Sequence, residues 1–324
     1  MILDMGIRKY IKYKLKPTIW FGSTNDYNEI VITGGTKVTS GGNTYHVFTS
    51  PGIFETSIDI SAELLIVAGG GGGGNATPTT GSGGGGGAGG ILNGPHEITF
   101  GTYPITVGAG GPNNFPVGPG LPGDPSTAFG FEAIGGGGGG IDVSTTPIEV
   151  AGSPGGSGGG AGADDAPQVP GGTGTQAPSG TLTGYGNDGG TPTANTNDPS
   201  SGGGGAGGVG GNGSAPATGA GNGGVGQPFS SFPGPVVSLG VPTDRRVPFQ
   251  NAVSPIGLFG GGGGGANSNS SEGLGGPGGG GQGGSTVNGT NATNHTGGGG
   301  GGVCRADQGG DGGDGIVVIK YTLP

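Results

Sequence analysis

The sequence predicts an all-β or irregular fold: a small β-sheet or sandwich, built from N- and C-terminal strands, clamping a bundle of polyglycine II helices, with no α-helical domain. Three observations lead there. Ninety-five of the 324 residues are glycine, gathered in tracts such as 69–74, 83–87, 135–140, 202–205, 260–265, 278–281 and 297–302. Apolar, strand-like runs bracket these tracts at both ends of the chain. The segments between tracts are rich in Pro, Asn and Asp, residues that set turns.

The bracketing runs come first. Residues 44–49 (T-Y-H-V-F-T) alternate and are rich in β-formers. Pro51-Gly52 marks a turn, and residues 53–60 alternate again. Residues 63–68 (E-L-L-I-V-A) form a continuous apolar run, as a buried strand would. The run G-I-V-V-I-K-Y-T at 315–322 answers it, so the C-terminal strand is expected to pair with the N-terminal strands. Three regions follow: 1–33 as an attachment segment, 34–68 with 315–324 as a strand frame, and 69–314 as the glycine-rich insert. A hairpin is expected at 98–107, where Thr99, Tyr103, Ile105 and Val107 have strand spacing. No helix-length amphipathic period occurs in the insert.

Glycine tracts can also be disordered, because glycine loses the most backbone entropy on folding. Collagen is excluded, since the glycines do not hold a strict third-position period. The ordered alternative has three residues per turn and a rise of about 3.1 Å, so six residues span roughly 19 Å. Such helices make no internal hydrogen bonds. Every N–H and C=O points sideways, and neighbours without side chains can come close enough to bond on several sides. Buried backbone must be nearly fully paired, and a bundle can do this.

Composition limits function. Hydrophobic residues make up 29% and charged residues 9%, with a net charge of −10. Basic residues cluster at Arg8, Lys9, Lys12, Lys14 and Lys16, and none lies between Lys37 and Arg245. The body has no phosphate-neutralising stripe, so nucleic-acid binding is not expected. Cys304 is the single cysteine, so no intrachain disulfide can form. No apolar run is long enough to cross a membrane, and the first twenty residues lack the apolar region of a signal peptide.

No catalytic or cofactor constellation is legible. G-x-G-x-x-G matches arise from composition alone, and none opens a helix after a strand. His46, His96 and His295 are widely separated, without metal-ligand spacing. Asp307, Asp311 and Asp314 fall in D-Q-G-G-D-G-G-D-G, which offers carboxylates to calcium but lacks the register of a known loop; turn and solubility roles compete. Asp164-Asp165 reads as a solvated pair. The sequons at Asn288, Asn291 and Asn294 mark a polar loop. No metal site, no cofactor and no enzymatic activity are expected.

Loops held by rigid scaffolds concentrate function. The longest, 227–259, carries Phe229, Phe232, Phe249, Phe259, Arg245 and Arg246, while Phe115 and Tyr185 sit in others. Aromatics and Arg are typical binding anchors, and an apolar plug is the competing role for the Phe residues. Tyr185, Arg245 and Arg246 are the stronger contact candidates, followed by Phe115, Phe229, Phe232 and Phe249.

The run Y-H-V-F-T-S-P-G-I-F-E, followed by L-L-I-V-A-G-G-G-G-G-G, resembles the entry to the glycine-rich domains of bacteriophage tail-fibre and virion structural proteins. The ending G-G-D-G-G-D-G-I-V-V-I-K-Y is similar to how such domains close. The pattern between them resembles the adhesins at the long-tail-fibre tips of T-even-like phages. It implies a layered polyglycine II bundle whose loops bind a bacterial surface protein or glycan, on a chain exposed on the virion. Residues 1–33 match no pattern; Arg8, Lys9, Tyr10, Lys12, Tyr13, Trp20 and Phe21 are the expected contacts to other fibre, baseplate or capsid proteins. A capsid-decorating head fibre, assembled as a homotrimer, and a self-assembling secreted filament or matrix protein are the alternatives.

Overall fold

The computed structural model describes residues 30–76, 81–141, 151–163, 169–193, 199–214, 219–267, 271–304 and 308–323. The strands, in chain order, are β1 (Ile32–Thr33), β2 (Thr36–Ser40), β3 (Asn43–Phe48), β4 (Gly52–Thr56), β5 (Ile60–Val67), β6 (Ile91–Ile98), β7 (Gly101–Thr106), β8 (Ser126–Ala128), β9 (Phe131–Ala133), β10 (Thr183–Tyr185), β11 (Gln227–Pro228), β12 (Leu258–Phe259) and β13 (Ile316–Tyr321). They form a six-stranded sheet, β10–β6–β5–β13–β3–β2, a five-stranded sheet, β1–β4–β7–β8–β9, and the small ribbon β11–β12. All strand pairs are antiparallel.

The C-terminal strand β13 lies between β3 and β5, with Ile319 opposite both His46 and Leu64. The continuous apolar runs reflect burial on both faces. Leu64, Ile66, Val317 and Ile319 face the five-stranded sheet, where they meet Phe54, Ile105 and Ala128. Their neighbours Leu65, Val67, Ile316 and Val318 face the other way, onto Phe232, Phe249 and Phe259. Full burial of such a side chain contributes about 1.5–3 kcal/mol.

The second cover is the segment between β11 and β12. It holds helix α1 (Gly234–Val237), a 3₁₀ turn (Ser238–Gly240) and helix α2 (Arg246–Val253). Pro248 sits in the first turn of α2, where a missing N–H is tolerated. These are the only helices among the described residues, so no helical domain is present there.

The frame is larger than 34–68 with 315–324, because β1 and β6 to β10 belong to it. The expected hairpin at 98–107 is not one. β6 pairs with β5 and β10, while β7 pairs with β4 and β8 in the other sheet. Between them the chain turns a corner of the sandwich, fixed by Asp59 Oδ1 accepting from Phe100 N at 2.7 Å and by the Tyr103 hydroxyl donating to Thr99 O at 2.8 Å.

The glycine tracts run away from the sheets and back as rods whose backbone hydrogen bonds go mostly to one another. The tract at 83–90 is the clearest case. Gly83, Gly86 and Gly89 donate to Val303, Gly300 and Gly297; Gly84, Gly87 and Gly90 donate to Gly140, Gly137 and Ile134; Gly85 and Ala88 donate to Ser201 and Gly204, all at 2.8–3.0 Å. Its carbonyls accept from three further tracts: from Ala266 and Gly263, from Gly74 and Gly71, and from Gly160 and Ser157. Partners recur every third residue, the period of the threefold extended helix. The rod is thus surrounded on all sides by backbone.

That spacing admits no side chain. A Cβ on Gly86 would lie 2.1 Å from Gly71 O, and one on Gly85 would lie 2.1 Å from Gly263 O. Ala88 enters this rod near its junction with β6, where its methyl lies close to Gly260.

Gly86→Ala should lower unfolding stability by at least about 2 kcal/mol, read by urea denaturation, because neighbouring rods must separate. Gly41→Ala, in open space at φ +57°, should cost only about 1 kcal/mol through its left-handed backbone.

Candidate functional site

The 227–259 segment is not a finger at the end of the bundle. It lies on the outer face of the six-stranded sheet, where Val38, Tyr45, Val47, Leu65, Val67, Ile316 and Val318 need cover. Phe229, Phe232 and Phe249 are buried there and offer no surface to a partner, which corrects their assignment as contact residues. Tyr185, on β10, packs edge-on against Phe229 with ring centroids 5.3 Å apart. Arg246 donates from Nε to Ser238 O at 2.9 Å and from Nη2 to Leu239 O and Val241 O at 3.1 and 3.3 Å. It fastens the 3₁₀ turn. Arg245 is exposed and, among the described residues, pairs with adjacent Asp244 at 3.3 Å, an arrangement worth little in water. Arg8, Lys9, Tyr10, Lys12, Tyr13, Trp20 and Phe21 lie outside the described residues.

Phe115 is the candidate that the structure leaves at the end of the rods. Rod 69–74 leaves β5 and ends at Asn75, which exchanges backbone bonds with Gly118. The Asn75 amide donates to Asn113 O and Oδ1, and Gly309 N donates to Asn75 Oδ1. Asn113 donates from N and Nδ2 to Asp311 Oδ1 at 3.0 and 2.8 Å, and its own Oδ1 accepts from Phe115 N. This polar network holds the loop at the bundle end furthest from the sheets. On it Phe115 is 53% exposed and Val117 42% exposed.

The acidic run near the C-terminus belongs to the same scheme. Asp314 Oδ1 accepts from Gly110 N at 3.0 Å, three residues along the rod from Asn113. Asp311 and Asp314 therefore hold two rod N–H groups; Asp307 lies outside the described residues. Asp188 accepts from Gly174 N, Asn212 from Thr191 N, Asn222 from Leu274 N, Asn288 from Gln308 N and Asn291 from Asp311 N. Side-chain oxygens thus stand in for neighbouring rods at the edge of the lattice. Among the described residues no group of three or more His, Cys, Asp or Glu could hold a metal ion.

His46 lies in the sandwich core. Its Nδ1 is 2.6 Å from Gly34 O, which can only accept, so Nδ1 carries the proton and Nε2 accepts from the Tyr321 hydroxyl at 3.0 Å. Burial, more than any other influence, holds its pKa below the usual histidine value. Burial also lowers His96 and His295, and raises Tyr321 to about 12.

A surface hollow of about 320 Å³ opens on the five-stranded sheet, lined by Tyr103, Pro104, Thr127, Ala128, Phe129, Gly130, Phe131 and Glu132. The two-residue turn Phe129-Gly130 joins β8 to β9 with φ +53° and +82°, the left-handed pair of a type I′ turn. For Phe this costs about 1–2 kcal/mol. The Phe129 ring is held 4.9 Å from Tyr103 and 5.8 Å from Phe54, with His96 beside it at 5.6 Å. Sequence reasoning missed this group. Its one local signal is A-F-G-F-E at 128–132, with Phe-Gly where a tight hairpin turn would fall.

A family model for a glycine-rich domain matches residues 49–322. No curated protein matches the chain. No helix among the described residues is long and apolar enough to cross a membrane.

Two outcomes test this chemistry. Asp311→Ala should cost about 1–3 kcal/mol by leaving the Asn113 donors without their acceptor, and Asp311→Asn should restore most of it. The lowered histidines bind protons more readily when unfolded, so their contribution is full above about pH 6.5 and falls as the pH drops below it. Raised Tyr321 has the opposite sign: its contribution is full below about pH 10 and is lost as the pH rises towards 12. Thermal melts should therefore show a plateau between about pH 7 and 10, and His46→Gln should reduce the acid slope.

Proposed function

The chain belongs to the glycine-rich domain family, and we propose that it is a non-enzymatic virion structural protein: a phage tail-fibre or fibre-tip adhesin. The carrying observation is the layout of the rods. They are stapled at one end by the β-sandwich, and at the other end they hold a polar-braced loop bearing Phe115 and Val117. A backbone lattice of this kind is a rigid stand for short variable loops, as a receptor-binding tip requires. The residues that precede β1 serve as the attachment segment to other virion proteins. The partner at the loop end is a bacterial surface protein or glycan.

Contact shifts from the 227–259 segment to the bundle end, because that segment is a cover for the sheet. In particles carrying Phe115→Ser with Val117→Ser, adsorption to the host should fall at least about tenfold, with particle yield unchanged. Adsorption equal to that of the parent particle would overturn the assignment of this loop.

A further inference from the structure

The hollow between the β8–β9 turn and Tyr103 lies on the sandwich, apart from the loop that carries Phe115. We propose that it binds a neutral saccharide residue, with the sugar's apolar C–H face stacked on the aromatic rings and a sugar hydroxyl donated to Glu132.

Four observations carry this. First, Phe129 occupies a left-handed turn position at φ +53°, where Gly or Asn sits without strain. Such backbone persists when the surroundings over-determine it, and it concentrates at ligand sites. Second, the lining joins three rings, Tyr103, Phe129 and Phe131, to two polar side chains, Thr127 and Glu132. That is the makeup of a small-molecule site: mostly apolar, with a few polar groups to fix orientation.

Third, among the described residues no Lys or Arg lines the hollow, and burial lowers the pKa of the adjoining His96. Phosphates, uronic acids and nucleotides would meet a carboxylate and no cation, on a chain of net charge −10. A neutral polyol meets no such penalty, and Glu132 gives it an acceptor. Fourth, the rings pack on one another. Tyr103 and Phe129 are tilted by 55° at 4.9 Å, and His96 meets Phe131 edge to face at 5.1 Å. The rings are thus braced at steep angles to one another, and a sugar's C–H face needs only one held ring to stack on; choline, which favours several ring faces around it, is the competing ligand in the test.

The proposal does not depend on the adhesin reading, and the two fail separately: the Phe115 and Val117 variant leaves the hollow intact. The test uses the full chain with methyl glycosides of glucose, galactose and N-acetylglucosamine, and with choline and inorganic phosphate as competing chemistries. Titration calorimetry with saturation-transfer NMR should find at least one glycoside binding at about millimolar affinity. Phe131→Ala should weaken it at least about tenfold. Phe129→Gly should abolish it while the chain stays folded, since glycine suits the turn. Glu132→Gln, at an exposed position, should weaken it without changing the melting temperature. No saturable glycoside binding, binding unchanged in Phe131→Ala or Glu132→Gln, or choline binding tighter than every glycoside would each overturn the proposal.

Discussion

The structure depends on one constraint: two backbones can hydrogen-bond along a threefold extended helix only if nothing stands between them. Glycine supplies this. At the rod 83–90, donors and acceptors reach six surrounding tracts, and a Cβ would land about 2 Å from a carbonyl oxygen. Each bond contributes only about 1 kcal/mol net, against a backbone ordering cost of about 1–2 kcal/mol per residue. Isolated rods would not persist. The lattice stands because every interior rod shares its neighbours' bonds, and because the sandwich fixes where rods begin and end.

The rest follows from closing that lattice. At its base, β5 and β13 are buried on both faces, one covered by the five-stranded sheet and the other by the 227–259 segment. At its flanks, Asp188, Asn212, Asn222, Asn291, Asp311 and Asp314 accept the N–H groups that the described rods leave over. This is how edge strands are managed in sheets, transferred to a bundle. The same logic explains the scarcity of charge: most residues of the insert are rod, and only its rim meets water.

The strands at 43–48, 60–67 and 316–321 were legible because β-formers alternate or run together there, and the rods because tracts recur at similar length between turn formers. The cover at 227–259 was not. Its Phe residues read as contacts or, somewhat better, as a plug, and what decides is that β5 and β13 are apolar on both faces. β6 was hidden by Gly94-Pro95, which reads as a turn. Pro95 is tolerated because the β10 ladder ends at Asn93, so that its strand partner is β5, at Glu63, and no backbone donor is needed on the β10 side. The sequons at Asn288 and Asn291 look like a polar loop in one dimension. Their spacing of three is the rod period, visible once Gln308 and Asp311 are seen to donate to them. The hollow at Phe129 depends on a turn conformation that favours glycine, so nothing in the residue type announced it.

Amide hydrogen exchange on the intact chain tests the lattice most directly. Interior rod glycines such as Gly71, Gly74, Gly84 and Gly87 should exchange as slowly as Leu65 and Val318 in the sandwich, and should be lost with them in one cooperative step. Exchange of those glycines at the rate of an unstructured peptide, while the strands remain protected, would contradict a hydrogen-bonded bundle.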